Sequence, residues 1–488
     1  MKNILTFAIL LIFAQNSLSQ KRPNSVVWGE KIKKSNELGA FKYKNDKLYT
    51  INYKLKSIQS FSPDKLTLLE TLNLEGVKGS FDGQSFDLFE GISSLIEYKS
   101  GVALYVEYLS KEKKMKYYGI FELADDLSKV STNGKILFEM NLGKKEEFQV
   151  STLQKANENY QAIFSYNTPA RPSKIAAQLD VVSSKGEVNT IEFSKEDFDN
   201  KEKGRHFTFS KDAYLINRWD DNSSEITLYD GISGSEISTL DLKEFLEGDG
   251  RVLSMKRMPN GEFILAGFYG NITSKKNEMV GLFKIVLNKA GQIKQQNSGM
   301  FKISEIKSTQ ESSSVQDILI TDAGDLYFVM TSTDGEKATM NGIGMTAYEQ
   351  LMVVGIHGDE IWSKSIPFRQ GYGSLNWPDH LGPHINEING NLILSYNDNR
   401  KNGKKFDYNE FVYSSKNRPE KYICALPEAI AIVDIDNTGN VKPYFIDVYD
   451  VFTNLTETVT LNDGSLFIAG NMVTVAGAGK SLFAKVKL

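Results

Sequence analysis

The chain has little of several things that would narrow its function, and each shortage removes a class of explanation. Its single cysteine, Cys424, excludes an intramolecular disulfide. That residue lies inside an apolar run far from the N-terminal leader, so it is no lipid-attachment site and reads as a small buried apolar side chain. There are 4 histidines, His206, His357, His380 and His384, too scattered for a three-histidine zinc centre. No apolar run approaches the roughly 20 residues that cross a bilayer, so no membrane span is expected. A formal charge of −4 gives no field that would gather nucleic acid. Lysine-rich pieces at residues 111–116 and 400–405 sit between strand-like runs and read as solvated loops.

What is present is ordinary folded composition, 41% hydrophobic and 24% charged, in 488 residues. The first residues read as a secretory signal. Lys2 supplies the positive region, residues 4–14 the short apolar region, and Ser17-Leu18-Ser19 a small-x-small cleavage site. Residues 1–19 are therefore expected to be removed between Ser19 and Gln20, leaving residues 20–488 as one exported domain, periplasmic or extracellular.

An internal repeat organises the rest. One unit recurs: an alternating strand, a polar turn, a second apolar strand, a variable gap, a third strand, a Gly-containing turn and a fourth strand. The first hairpin is clearest at residues 252–267 around Met258-Pro259-Asn260-Gly261, and at 457–470 around Leu461-Asn462-Asp463-Gly464. Glycine accepts the positive φ that such turns require. Further copies fall at 41–53, 95–108, 148–166, 207–219, 315–330 and 385–396, which makes eight. Second hairpins fall at 175–193, 225–242, 279–296, 351–368 and 429–447.

This spacing predicts an all-β fold, a β-propeller of eight four-stranded blades. The alternative is seven, if the hairpins starting near Leu95 and Phe148 share a blade. The last copy lacks a fourth strand. An orphan strand at residues 25–33, with Trp28-Gly29-Glu30-Lys31-Ile32, resembles the fourth strand Ile361-Trp362-Ser363-Lys364-Ser365-Ile366 of the sixth copy. It is expected to complete the last blade and close the ring, which hides the sheet edges.

In such a blade the first-to-second and third-to-fourth turns share one end, and the second-to-third loops and crossovers share the other. The second set is the longer and more variable, so function is expected there. Its longest insertions are residues 398–426, 332–350, 369–384, 75–94 and 271–278. Segment 369–384, with Tyr372, Asn376, Trp377, Asp379, His380 and His384, is the leading binding candidate. Aromatic residues where second strands reach that end, namely Tyr53, Tyr108, Trp219, Phe268, Tyr269 and Tyr396, could stack on a sugar or clamp a peptide, with Asp398 alongside. The competing reading is that these rings pack between neighbouring sheets.

Other constellations fail on their own chemistry. Residues 475–481 end in Gly-Lys-Ser, but Thr474 stands where a phosphate loop needs its first glycine. Asp434-Ile435-Asp436-Asn437-Thr438-Gly439 begins like a calcium loop, yet Phe445 occupies the position of the bidentate glutamate. Gly382 and Pro383 separate His380 from His384 and break the helix that would align them on a metal. Asp87, Asp220, Asp221, Asp379, Asp398 and Glu410 are loop carboxylates, two of which could stand at glycosidase separation. Asn222, Asn271 and Asn454 begin glycosylation sequons.

The runs Pro259-Asn260-Gly261-Glu262-Phe263-Ile264-Leu265-Ala266-Gly267 and Asn462-Asp463-Gly464-Ser465-Leu466-Phe467-Ile468-Ala469-Gly470 resemble hairpins of secreted bacterial β-propeller repeat proteins. His357-Gly358-Asp359-Glu360-Ile361-Trp362 is similar to units of quinoprotein-like propellers. Tryptophan does not recur at that position, and no Ser-x-Asp-x-Gly-x-Thr-Trp box of sialidase-like propellers occurs, so the resemblance implies the fold and no cofactor. The expected function is a binding or scaffolding module for a protein, peptide or glycan, monomeric unless docked in an envelope complex. The alternatives are a hydrolase or lyase using loop carboxylates with His380 or His384, and a structural subunit of a cell-envelope assembly.

Overall fold

The computed structural model describes residues 25–28, 38–98, 101–141, 148–157, 160–167, 175–183, 188–194, 204–210, 213–219, 224–231, 233–272, 277–303, 313–340, 343–358, 360–366, 372–374, 382–398, 429–435, 441–447, 451–474 and 479–487. The described residues are β-strands, turns and a few short 3-10 turns, without an α-helix. None forms a helix long and apolar enough to cross a membrane.

Strand β1 (Ser25–Trp28) comes first. One antiparallel sheet holds β2 (Leu38–Lys44), β3 (Lys47–Asn52), β4 (Ser57–Phe61) and β5 (Leu68–Asn73) in that order. A small two-stranded sheet follows, of β6 (Lys78–Phe81) and β7 (Gln84–Asp87). Next come β8 (Ile92–Tyr98), β9 (Gly101–Ser110), β10 (Met115–Glu122) and β11 (Lys135–Asn141). The third large sheet is β12 (Phe148–Asn157), β13 (Tyr160–Asn167), β14 (Ile175–Ser183) and β15 (Val188–Ser194). The fourth is β16 (Gly204–Phe209), β17 (Ala213–Trp219), β18 (Ser224–Asp230) and β19 (Glu236–Asp241).

The fifth sheet is β20 (Asp249–Arg257), β21 (Phe263–Ile272), β22 (Asn277–Leu287) and β23 (Gly299–Lys302). The sixth has β24 (Ser313–Ile320), β25 (Leu326–Met340), β26 (Ile343–His357) and β27 (Glu360–Ile366), with β28 (Tyr372–Ser374) pairing on β26. Then follow β29 (His384–Ile388), β30 (Asn391–Asp398), β31 (Ala429–Ile435) and β32 (Val441–Asp447). The final sheet is β33 (Val451–Thr460), β34 (Leu466–Thr474) and β35 (Gly479–Lys487), with β1 beside β35. Ser25 faces Lys487 and Trp28 faces Ala484, so the orphan strand fills the missing fourth place.

Each of the eight first hairpins recognised in the sequence opens a different sheet, and those starting near Leu95 and Phe148 belong to separate ones. The second hairpin predicted at 279–296 is corrected. After the Leu287–Ile293 bridge the chain makes a 3-10 turn at Gln295–Asn297, and the fourth strand is β23.

The chain clusters into two compact units. One comprises Ile32–Ser332 with Met352–Ser365; the other comprises Met1–Lys31, Thr333–Leu351 and Ile366–Leu488.

In the first unit most sheets bury both faces, which is why their second strands read as unbroken apolar runs. Along β21, Phe263, Leu265 and Tyr269 enter one core with Leu215, Leu228 and Val252, whereas Ile264 and Ala266 enter another with Leu326, Phe328 and Val354. In the second unit Ile393, Ile430 and Ile432 pack with Leu466, Ile468 and Val486.

Tight turns set the register. Asn45-Asp46, Asp82-Gly83 and Asn389-Gly390 each place two successive residues at positive φ between paired strands, the backbone of a type I′ hairpin. Met258–Glu262 and Leu461–Ser465 form a wider turn. There the first N–H donates to the last C=O at 2.7 and 2.8 Å, and Gly261 and Gly464 take φ of 84° and 75°.

Candidate functional site

The end carrying the second-to-third loops is built up by additions to the four-stranded pattern. Loops are expected at 75–94, 332–350 and 271–278; in the structure each of these segments contains strand among its described residues. Residues 75–94 form β6, β7 and a 3-10 turn at Phe89–Gly91. Phe81 is fully buried, stacked on Phe86 and Tyr117 and edge-on to Phe121. It fits because Gly119 and Gly134 lie against its ring, where any Cβ would collide with it. The insertion is tied down by the Ser80 N–H to Thr132 C=O and Gly134 N–H to Ser80 C=O bonds, both 2.9 Å.

In segment 332–350 the chain prolongs β25 and β26, and β28 adds Tyr372–Ser374 opposite Met345–Ala347. Residues 271–278 likewise prolong β21 and β22, with Ile272 paired to Asn277. Their sequence lacks the apolar alternation that marks a strand.

Beside the 75–94 insertion three large apolar side chains are open to solvent. Tyr53 is 38% exposed, Leu55 52% and Leu109 46%. They lie where β3 and β9 of two neighbouring sheets end. Tyr53 meets Phe89 edge-on at 6.3 Å, and Tyr108 stacks on Phe86 at 4.1 Å between nearly parallel rings. Partial burial raises the Tyr53 hydroxyl pKa above its ordinary value. Tyr53 and Tyr108 thus rest against rings of the insertion, and Leu55 and Leu109 form an exposed apolar shelf with Tyr53 at the ends of β3 and β9.

The other aromatic candidates divide. Tyr269 and Tyr396 are 0% exposed, so for these two the packing reading holds and neither ring is open to a ligand. Phe268 is half-buried beside the core between the fifth and sixth sheets. Trp219 and Asp398 close β17 and β30, and Tyr372 opens β28. Asn376, Trp377, Asp379 and His380 lie outside the described residues, as do Asp220, Asp221, Glu410 and the leader. His384 is half-buried at the start of β29, and its carbonyl accepts from the Ser395 hydroxyl at 3.4 Å. Asp87 precedes the neighbouring 3-10 turn, and its carboxylate accepts from the Phe89 N–H at 3.2 Å.

Shifted carboxylates are accounted for by structural pairs. Burial acts to raise Glu70, but bonds from Lys47 and from the Ser60 hydroxyl outweigh it and leave the group lowered. The Lys294 ammonium at 2.5 Å holds Glu262 below its usual range, and Lys485 at 2.5 Å does the same for Asp463. Burial, with Asp125 and Glu70 nearby, pushes Tyr49 up to about 12. Among the described residues no cluster of three metal-ligating side chains gathers.

At the short-turn end, the tips of β16, β20 and β24 border a cleft of about 880 Å³. Met258, Pro259, Ile318 and Leu319 line it together with Lys256, Arg257, Ser210 and Asp322. Sequence reasoning directed attention to the opposite end and missed it. The available signal was Lys256-Arg257 at the end of a first strand whose counterpart in β33 is Val459-Thr460.

No protein-family model and no curated protein sequence matches the chain. Solved structures of β-propeller proteins resemble it at the level of fold. "Structure of Dos1 propeller" is 10% identical with a TM-score of 0.45, covering 95% of this chain and 94% of that one. Sqt1 of Saccharomyces cerevisiae is 11% identical with a TM-score of 0.43, covering 95% and 99%. Apo AztD from Citrobacter koseri is 11% identical with a TM-score of 0.39, covering 85% and 86%.

Proposed function

We propose that this chain is an exported β-propeller, its four-stranded sheets acting as eight blades, that serves as a binding or scaffolding module in the periplasm or outside the cell. It engages a protein, peptide or glycan through the end of the sheets that carries the second-to-third loops. The observation that supports this reading is the exposure of Tyr53, Leu55 and Leu109 where β3 and β9 end beside the folded 75–94 insertion. Exposed apolar groups on rigid elements cost solubility without serving the core, and they are the usual material of an interface. Export rests on the Lys2 leader and its Ser17-Leu18-Ser19 site.

The test is capture of partners from envelope and culture fractions with the chain from Gln20 onward, compared with Leu55→Asp/Leu109→Asp and with alanine at Trp377, Asp379, His380 and His384. A partner held by the native chain and lost by the first variant places the interface on the shelf. Loss by the second places it on the 369–384 crossover. A native chain that captures nothing from either fraction overturns the binding-module reading.

A further inference from the structure

The apolar shelf is carried on two turns that are rich in lysine. Strands β3 and β9 share one core through Ile51, Leu104 and Val106, and each ends in the turn that leads to the third strand of its sheet. In the first turn, residues 53–56, the buried Asn52 side chain accepts from the Leu55 N–H at 3.0 Å and donates to the buried Gln59 at 3.2 Å. In the second, residues 111–114, the buried Ser110 hydroxyl oxygen accepts from the Lys113 N–H at 3.2 Å. The backbone of both turns is thus fixed by buried polar groups, while Tyr53, Lys54, Leu55, Lys111 and Lys114 are exposed.

The order of residues on these turns narrows what they can meet. Lys54 and Lys56 flank Leu55, and Lys111, Lys113 and Lys114 follow Leu109, with Glu112 as the acid among them. Lys113 answers Asp82, donating to its carbonyl at 3.0 Å and to its carboxylate at 2.5 Å. Exposed acids of the insertion, Glu75 and Glu90, offset part of the remaining charge, so net charge alone does not set these turns apart. Their distinction is an exposed leucine placed between two ammonium groups on a preformed turn. A bound peptide or sugar is enclosed by walls, which turn tips do not supply. A bilayer surface needs none. Leucine enters at the boundary of headgroups and acyl chains, lysine stems follow it, and the ammonium heads meet phosphate. A tyrosine suits the same level, with its ring on the apolar side and its hydroxyl in water.

We propose that these two turns dock the protein peripherally on an anionic lipid surface, Tyr53, Leu55 and Leu109 entering the headgroup boundary and Lys54, Lys56, Lys111 and Lys114 meeting phosphates. The inference takes the shelf as an interface, as the binding-module reading does, and assigns it a lipid counterpart; a protein or glycan partner is then held elsewhere on the module.

The test is sedimentation of the chain from Gln20 onward with vesicles of phosphatidylcholine and phosphatidylglycerol in equal parts, and with vesicles of phosphatidylcholine alone. The expected result is binding to the mixed vesicles that weakens with salt and exceeds binding to the neutral ones. Leu55→Asp/Leu109→Asp and, separately, Lys111→Glu/Lys114→Glu are each expected to lower it roughly tenfold or more, with unfolding midpoints showing that both variants fold. Leu68 and Leu69 are similarly exposed at the short-turn end of the first sheet, and Leu68→Asp/Leu69→Asp is expected to leave binding unchanged. The proposal is overturned by no binding to mixed vesicles, by equal binding to neutral ones, by undiminished binding of either folded shelf variant, or by equal loss in Leu68→Asp/Leu69→Asp. A protein captured from the envelope fraction and lost with Leu55→Asp/Leu109→Asp, while the native chain ignores both vesicles, removes the lipid contact and leaves the binding-module reading standing. Vesicle binding as expected from a chain that captures no partner keeps the lipid contact and removes that reading.

Discussion

The hairpins β20–β21 and β33–β34 belong to different units of the chain, yet they solve one problem in the same way. Each first strand bulges, at Val252/Ser254 and at Leu455/Glu457. Each bulge frees a backbone N–H, and an asparagine on the second strand of the preceding sheet accepts it. Asn217 Oδ1 takes the Val252 N–H at 2.9 Å, and Asn397 Oδ1 takes the Leu455 N–H at 2.9 Å. Both asparagines are buried, where a lost partner cannot be replaced by water.

Around each rung further bonds join the two sheets. Next to Val252, the Thr208 hydroxyl donates to its carbonyl at 3.1 Å, Ser224 exchanges bonds with Gly250 at 2.9 Å, and the Ser210 hydroxyl accepts from the Arg257 N–H at 3.1 Å. Beside Leu455, Asn386 Nδ2 donates to the Thr458 hydroxyl oxygen at 3.1 Å. The bulge with its asparagine rung is the part the two hairpins share.

The comparison breaks most sharply at the rungs. Asn217→Ala and Asn397→Ala are each expected to lower stability by about 1–3 kcal/mol, the cost of an orphaned buried N–H. Amide exchange at Val252 rises in the first variant and at Leu455 in the second. Acceleration of both amides by either change would mean that the junctions are not independent devices.

Substituting the turn glycines has a smaller effect. Gly261→Ala and Gly464→Ala force a Cβ into the left-handed region at about 1 kcal/mol each. The second costs more, because its Cβ would stand 2.8 Å from the Asn389 side-chain amide. Urea midpoints check the order.

Smaller again is the carboxylate in each turn. Glu262 and Asp463 are both lowered by a lysine, so their contribution is complete above the ordinary carboxylate range and disappears as the pH falls through the lowered values. Asp463 is half exposed and screened, so about 0.5 kcal/mol or less is expected from its pair. Melting curves from neutral to acid pH should flatten slightly in Glu262→Gln and Asp463→Asn. Smallest of all, Lys256→Val/Arg257→Thr should leave the unfolding midpoint within about 0.5 kcal/mol of the parent, since β33 folds with those residues.

Sequence periodicity reached the hairpins because both faces of most sheets are buried, so each second strand announces itself as a run such as Phe263-Ile264-Leu265-Ala266. It failed at 332–350, whose residues are polar and look like a loop, yet β25 runs to Met340 and β26 starts at Ile343. The aromatic pattern misled for a related reason, since Tyr269 and Tyr396 occupy strand positions that face inward. A legible signal went unused: asparagine recurs at or near the ends of second strands, as Asn52, Asn167, Asn217, Asn397 and Asn471. Its meaning depends on the bulge opposite, which a single strand does not reveal. The charged cleft was hidden similarly, because Lys256-Arg257 is unusual only against the other copies.

The pairing of β1 with β35 has a consequence for biosynthesis. Ser25 meets Lys487, so the first described strand waits for β35, the last described strand, before it finds its neighbour. That sheet remains open-edged until β35 has been made, while the earlier hairpins can form from adjacent sequence. Chaperone dependence and sensitivity to loss of β35 should both be governed by this one seam.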